Sequence, residues 1–234
     1  MGMPDTALTL ERRTLVAHRA EESRATAAAC RALDLVIATL ALIVLALPLL
    51  IIAIAIRLDS RGGALFRQER LGRDVKPFIV NKFRTMRTDT SHAEHREFVQ
   101  RLIAGEAERH QGAGSKALFK LASDARVTRV GGFLRRTSLD ELPQLLNVLR
   151  GEMSLVGPRP PLDYEVERYP ERAFGRFAGK PGITGWWQVS GRSELTFEEM
   201  IDLDLDYLKR RSFWFNVRIL ARTLPVVLGR KGAA

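Results

Sequence analysis

From Leu35 to Ile56 the chain runs for 22 residues without a charge. As one helix this run would be about 33 Å long, against a hydrocarbon thickness of about 30 Å. It is apolar on every side, so no amphipathic stripe accounts for it. A chain of 234 residues has little room for a fully buried helix of that kind, and membrane insertion is the expectation that follows. A cleaved signal peptide fits poorly. The polar stretch ahead is long, and the run ends in Ile56-Arg57 with no small-x-small site.

Both flanks of the run are basic. Residues 12–31 carry five arginines, and residues 57–76 carry Arg57, Arg61, Arg67, Arg70, Arg73 and Lys76. The positive-inside rule places both flanks in the cytoplasm, which a single span cannot satisfy. Pro48 removes one backbone donor and clashes with the Val44 carbonyl, so it kinks a helix there. A kinked, re-entrant helix that enters and leaves by one leaflet reconciles the two observations. A kinked but ordinary span is the alternative. The sequence thus divides into a polar N-terminal arm over 1–30, a membrane helix over 31–57 and a membrane-associated domain over 58–234.

The charge of the whole chain is +10. Residues 1–34 hold five Arg against five acids, and 35–56 hold none, so the excess lies beyond residue 56. Such a domain calls for a polyanionic partner: nucleic acid, a phosphorylated substrate or an anionic membrane. A lone cysteine, Cys30, excludes a disulfide framework or a cysteine-rich zinc module. The four His show no paired metal spacing.

Two strand-like pieces are expected within 57–90, separated by Gly turns, and a charged helix over 91–110. Residues 111–115 read as a loop. Leu139, Leu142, Leu145, Leu146 and Leu149 have helical spacing. Residues 151–193 are too rich in Gly and Pro for long elements. Thr196 and Glu199 form a capping-box pattern ahead of a helix. The 213–228 piece, with Phe213, Trp214 and Phe215 followed by Arg218 and Arg222, suits either an interfacial amphipathic helix or a core helix. The expected fold is α+β: a re-entrant helix joined to a compact, helix-rich domain with a small sheet near 64–84 and interfacial helices.

Thr137-Ser-Leu-Asp-Glu-Leu-Pro143 is the sharpest local feature. A helix starting at Asp140 puts Pro143 among first-turn positions whose donors are free anyway. The acids then lie at the positive end of the dipole and could merely complement it. Their surroundings suggest more. Arg135 and Arg136 precede them, Arg159 sits in a Pro-framed loop, Lys180 and Arg192 lie on Gly-bearing turns, and Lys82 and Arg84 flank Phe83. Guanidinium and ammonium groups on such loops suit phosphate recognition, although a basic face toward anionic lipid would use them too. A carboxylate within a cationic set can attack phosphorus and form an acyl phosphate. Mg²⁺ would then be the expected metal, since it is often shared between carboxylate and phosphate oxygens. Adjacent helical residues point about 100° apart, so Asp140 and Glu141 should hold separate roles.

Taken in order, these segments resemble the bacterial sugar transferase family, the monotopic phosphoglycosyl transferases. The resemblance is carried by Phe66-Arg-Gln-Glu-Arg-Leu-Gly72, Lys82-Phe-Arg-Thr-Met86, Asp124-Ala-Arg-Val-Thr-Arg-Val-Gly131, Leu134 through Gln144, Gly151 through Pro160, Lys180 through Trp186 and Gln188-Val-Ser-Gly-Arg192. It extends over roughly residues 31–228. It implies transfer of a sugar 1-phosphate, glucose or galactose for preference, from a UDP-sugar to undecaprenyl phosphate, with release of UMP and a covalent phosphosugar-enzyme intermediate. It implies Mg²⁺, a re-entrant helix and a site on the cytoplasmic face of a bacterial inner membrane. On the matching residues, Asp140 would be nucleophile and metal ligand, with Glu141 assisting. Lys82, Arg84, Arg135, Arg159, Gln188 and Arg192 would hold the substrate and its phosphates. The length suits the short, exopolysaccharide-type form. Three departures stand out: Leu47 where Ser often precedes the membrane Pro, Arg61-Gly-Gly63 where a Pro is usual, and Asn216 where Asp is common.

A membrane-tethered nucleic-acid binder would also be basic, but zinc-finger spacing, RNP-like aromatics and a recognition-helix pair are all missing from the sequence. A lipid-binding scaffold would leave the Asp-Glu pair idle. The expected partners are therefore a UDP-sugar, undecaprenyl phosphate and membrane lipid, with no nucleic acid. The aromatics at 213–215 could equally serve a homodimer.

Overall fold

The computed structural model describes residues 23–87, 93–106, 110–111, 117–118 and 126–228. Most of the N-terminal arm, residues 112–115 of the expected loop, and Asp124 and Ala125 lie outside the described residues. A first helix, α1 (Arg24–Val44), starts where Ser23 accepts a hydrogen bond from the Thr26 amide and an alanine-rich turn follows. It buries Cys30, Asp34 and Ala38, spaced four residues apart and so on one face. α2 (Ala46–Asp59) follows after an interruption at Leu45, where φ is −91° and ψ 4°. The bonds on either side survive, from Leu45 N to Ala41 O and from Leu49 N to Leu45 O, both 2.8 Å. Pro48 has no N–H to give Val44, and the helix breaks at that turn.

The two ends of this apolar segment dock on one body, while its middle stays bare. Leu40, Ile43, Val44, Leu47, Leu50 and Ile51 are each more than half exposed. At the first end, Arg31 donates to the carbonyls of Val148 (2.6 Å) and Leu149 (2.9 Å). Asp34 accepts from Ser154 Oγ (3.1 Å) and the Leu155 amide (2.9 Å). At the other end, Ile56 packs with Phe83 and Leu134. There Arg84 donates to the carbonyls of Ser60 (2.8 Å) and Arg61, holding the C-terminus of α2.

The two expected strand-like pieces are β1 (Leu65–Leu71) and β2 (Pro77–Phe83), which pair antiparallel as a hairpin. The charged segment is α3 (Ala93–Ile103), beyond which lies a short pair, β3 (His110–Gln111) and β4 (Ala117–Leu118). Helix α4 (Arg129–Thr137) leads into a 3-10 turn, Leu139–Gln144, and then α5 (Leu145–Arg150). Thr128 Oγ1 and Asp59 Oδ2 cap the free amides of Gly131 and Val130 at the start of α4. Gly131 is required there, because a Cβ would lie 2.1 Å from the Thr85 carbonyl oxygen.

A parallel pair that the sequence did not reveal, β5 (Ser154–Val156) with β6 (Gly182–Thr184), lies at the centre. Three-residue strands are too short to show a period. Their crossover contains α6 (Asp163–Val166) and a 3-10 stretch, Glu171–Ala178. After α7 (Trp186–Ser190) come α8 (Phe197–Arg210), with its capping box intact, and α9 (Phe213–Leu228). The main core joins Ala38 of α1, Val80 of β2, Leu145 and Val148 of α5, Leu155 and Val156 of β5, Tyr207 of α8 and Ile219 of α9. The α9 face bearing Phe215, Asn216 and Ile219 is buried, and Trp214 and Leu224 are exposed.

Within this core, Asn147 is fully buried and makes four hydrogen bonds. Its Oδ1 accepts from the Asn81 amide (3.1 Å) and Asn81 Nδ2 (3.0 Å), and its Nδ2 donates to Ile79 O (2.6 Å) and Glu152 Oε2 (2.7 Å). It locks the hairpin to α5. Asn147→Leu leaves those partners buried and unsatisfied, and we expect a loss of about 2–4 kcal/mol, read as a lower Tm in detergent.

Candidate active site

Two helical pieces meet at Ser138. α4 closes there, with Ser138 in the left-handed region (φ 55°, ψ 17°) and its amide turned back on Leu134 and Arg135. A non-glycine residue held so costs about 1 kcal/mol or more. The reversal sets the basic last turn of α4, with Arg135 and Arg136, against the acidic first turn of the next piece, with Asp140 and Glu141. Pro143 falls inside the 3-10 turn, ahead of α5, where its missing donor breaks no α-helical bond.

Glu141 forms an ion pair with Lys82, Nζ to Oε1 2.7 Å, and both side chains remain partly exposed. Burial works to raise the Glu141 pKa. The charge and hydrogen bond of Lys82 outweigh it, helped by Arg159 and Arg70, and the net direction is down. Asp140 goes the other way, from 3.8 to about 6. Burial is the main cause and the Glu141 anion the second, while Lys82 and Arg135 oppose them. The two neighbours therefore differ in basicity: one is a fixed anion, the other a more basic carboxyl.

A cleft opens beside Glu141, and its neighbour Asp140 is not among the residues that line it. Lys82, Glu141, Arg159 and Gln188, all expected from the sequence, line it together with Arg70, Gln144 and Ile183. The Arg159 loop is built from carbonyls, since Pro158, Pro160 and Pro161 have no amide to offer. Arg176 Nη2 donates to Arg159 O (3.1 Å), Arg70 Nη1 to Pro160 O (2.8 Å) and the Leu71 amide to Pro161 O (3.0 Å). Arg176 is itself fixed in the interior by Asp204 (2.6 Å) and the Tyr169 hydroxyl (2.8 Å). Gly157 and Gly182 let the loop lie on β6, since a Cβ on Gly182 would sit 2.1 Å from the Gly157 amide nitrogen.

Arg135 and Arg192 act on the acids through charge, Arg135 on Asp140 and Arg192 on Glu141. Arg84, expected among the phosphate-binding cations, is placed elsewhere, buried beneath the end of α2 with its donors on backbone carbonyls. Lys82 faces the cleft from within β2 with its alternate strand residues, whereas Arg84 lies just past the strand's end at Phe83, where that alternation stops. The same alternation could have revealed Arg70. The hairpin register puts Arg70 opposite Phe78, Gln68 opposite Val80 and Phe66 opposite Lys82, all on one face. Gln68 in turn accepts from Arg70 Nη2 at 2.9 Å. Gln144 had no comparable signal, as it enters the cleft only through the 3-10 turn.

The acids offer hard oxygen donors. Among the described residues no group of three or more His, Cys, Asp and Glu could hold a metal alone. Mg²⁺ needs only one or two carboxylates when phosphate supplies further ligands, and the repulsion that raises Asp140 is what a divalent cation would relieve. The donor set fits that ion on those terms.

The bacterial sugar transferase family model matches residues 25–230. The chain belongs to the bacterial sugar transferase family. Among its relatives, the undecaprenyl-phosphate galactose phosphotransferase of Salmonella typhimurium is 43% identical over 172 residues, covering 74% of this chain and 35% of the relative. The UDP-glucose:undecaprenyl-phosphate glucose-1-phosphate transferase of Escherichia coli is 42% identical over 202 residues, covering 83% and 39%. The exopolysaccharide production protein ExoY of Sinorhizobium fredii is 38% identical over 203 residues, covering 87% of each. This sugar transferase chain thus spans about two fifths of the E. coli relative but most of ExoY.

Because the folded state holds the Asp140 proton more tightly than a free carboxyl does, the contribution of this group to stability is fully present below about pH 4 and is lost as pH rises through about 6. In metal-free buffer at neutral pH, Asp140→Asn should therefore show a higher Tm than the parent, and the gap should close in acid. Lys82→Met removes an opposing charge, so a ¹³C-detected titration of Asp140 should move above 6.

Proposed function

We propose that this protein transfers a sugar 1-phosphate from a UDP-sugar to undecaprenyl phosphate and releases UMP. The observation that carries this reading is a basic carboxyl, Asp140, beside an anchored Glu141–Lys82 pair at a cleft lined by Arg70 and Arg159. The activities for which the Salmonella and E. coli relatives are named support it. Those two differ in the sugar, galactose in one and glucose in the other, so the hexose is left open between them.

In the proposed first step, a carboxylate oxygen of Asp140 bonds to the phosphorus that bears the sugar. The bond from that phosphorus to the bridging oxygen breaks, and UMP leaves with the electron pair. In the second step an oxygen of undecaprenyl phosphate attacks the same phosphorus, and Asp140 is released as carboxylate. Lys82, Arg70 and Arg159 bear the charge of the phosphate oxygens, with Arg135 and Arg192 adding to the field. Gln188, whose Oε1 is buried with no partner among the described residues, offers a neutral acceptor to the donor. Glu141 holds Lys82 in place. Asp140 and Glu141 are the residues that would hold Mg²⁺, which when bound would neutralise the diphosphate and the leaving UMP.

The apolar segment is read as re-entrant, on the inner membrane of a bacterium with the domain at the cytoplasmic face. Both of its ends dock on the same body, the break lies near its middle, and the bare residues cluster about that break. Absence of a hydroxyl at Leu47 leaves the Val44 carbonyl without local help from that side chain. The exposed Trp214 and Leu224 of α9 would meet the same surface.

With UDP-sugar and no lipid acceptor, mass spectrometry should find a hexose-phosphate adduct on Asp140, and Asp140→Asn should lower UMP release by about 10³-fold or more. Brisk turnover by Asp140→Asn would refute the covalent route. Reporter tags at residues 5 and 234 should report one compartment; opposite compartments would refute re-entry.

A further inference from the structure

Lys180 opens the Lys180-Pro-Gly-Ile-Thr-Gly185 segment, yet it does not line the cleft beside Glu141. Among the described residues its ammonium group has no hydrogen bond and no ion pair. It stands beside Arg31 of the membrane helix. Lys180 Nζ and Arg31 Nη2 each lie 3.6 Å from the place a Cβ would take on Gly151. The two cationic ends therefore share the space above one backbone turn. Gly151 closes α5 in the left-handed region (φ 83°), and with no side chain it leaves that space open. Arg31 is tied by its bonds to Val148 and Leu149, so it does not swing away from its neighbour.

Burial, then the charges of Arg31, Arg73 and Arg211, push the Lys180 ammonium below its ordinary range. Asp34 offsets this field, but its carboxylate is engaged by Ser154 and the Leu155 amide. Three cations against one partly offsetting carboxylate leave an excess of positive charge that a further anion would relieve. The depth of the cluster says which anion. Arg31 lies about one helical turn before Leu35 and Val36, where exposed apolar surface begins at 39% and 57% exposure. Four or five residues span about 6–8 Å of helix, close to the roughly 5–7 Å that separates the hydrocarbon edge from the outer headgroup region.

We propose that Arg31 and Lys180, above the Gly151 turn, form a second anion site that binds the headgroup phosphate of an anionic phospholipid of the phosphatidylglycerol type. The site pins the base of α1 to the bilayer and lies apart from the transfer cleft. It rests on the proposed membrane placement of α1 but not on the proposed reaction.

The test is native mass spectrometry of the full chain in neutral detergent, titrated in separate arms with phosphatidylglycerol and phosphatidylcholine, and with phosphatidylglycerol in the presence of excess inorganic phosphate. A basic group near the surface contributes about 1 kcal/mol, or about fivefold in affinity. Lys180→Gln should weaken phosphatidylglycerol retention about fivefold and leave phosphatidylcholine retention unchanged. Lys209→Gln, an exposed lysine on α8, should behave as the parent. Lys180→Gln cuts no backbone bond, and an unaltered Tm would verify its fold. Arg31→Lys, which keeps the charge, should retain the lipid better than Arg31→Gln. Equal retention by the parent and Lys180→Gln, or an equal drop in Lys209→Gln, would overturn the site. Displacement of the lipid by inorganic phosphate would overturn its assignment to a phospholipid.

Discussion

Backbone carbonyls at helix ends and in the proline loop are held in this molecule by guanidiniums, and the layout of the site follows from where those bonds fall. Arg31 closes the end of α5, and Arg84 closes the end of α2. Arg70 and Arg176 grip consecutive carbonyls in a loop whose prolines cannot donate. A planar guanidinium with several donors can reach two carbonyls at once, which an ammonium group does less well. Part of the basic excess is therefore internal scaffolding, and only the remainder is available to an anionic partner. This use of arginine joins the membrane segment to the domain and makes the loop around Arg159 stiff enough to aim a charge.

The two acids illustrate how environment divides identical chemistry. Asp140 and Glu141 are neighbours in the chain, but Lys82 reaches only one of them with a hydrogen bond. That pairing keeps Glu141 ionised, and the resulting fixed negative charge, added to burial, raises Asp140. The split needs the hairpin to bring Lys82 across 59 residues of sequence. The hairpin in turn is held by Asn147 to α5, the helix that follows the acids' 3-10 turn. A polar bond in the core and an ion pair at its edge thus act together on one carboxyl group.

Much of this could be read locally. Thr196 and Glu199 announce the start of α8, the charge-free run announces a long apolar segment, and Pro48 announces its break. The Asp-Glu pair ahead of Pro143 was legible as a first turn because proline tolerates that position. The β5–β6 pair was not legible, because strands of three residues in a Gly/Pro-rich stretch leave no alternation to detect. Arg84 and Lys82 looked equivalent in the sequence. Lys82 lies within β2 and Arg84 just beyond its end, and Arg84 became a helix cap and Lys82 a partner for Glu141.

Composition and order alone determined the class of this protein: an apolar segment with a break, a basic domain, and an acidic pair set among cations. These are properties of short segments, governed by solvent preference and by local backbone geometry. The tertiary structure decided which cations face the acids, which ones hold the chain together, and where Lys180 meets Arg31. Those outcomes depend on contacts between residues far apart in sequence, and the free energy of such contacts exists only once the chain has closed on itself.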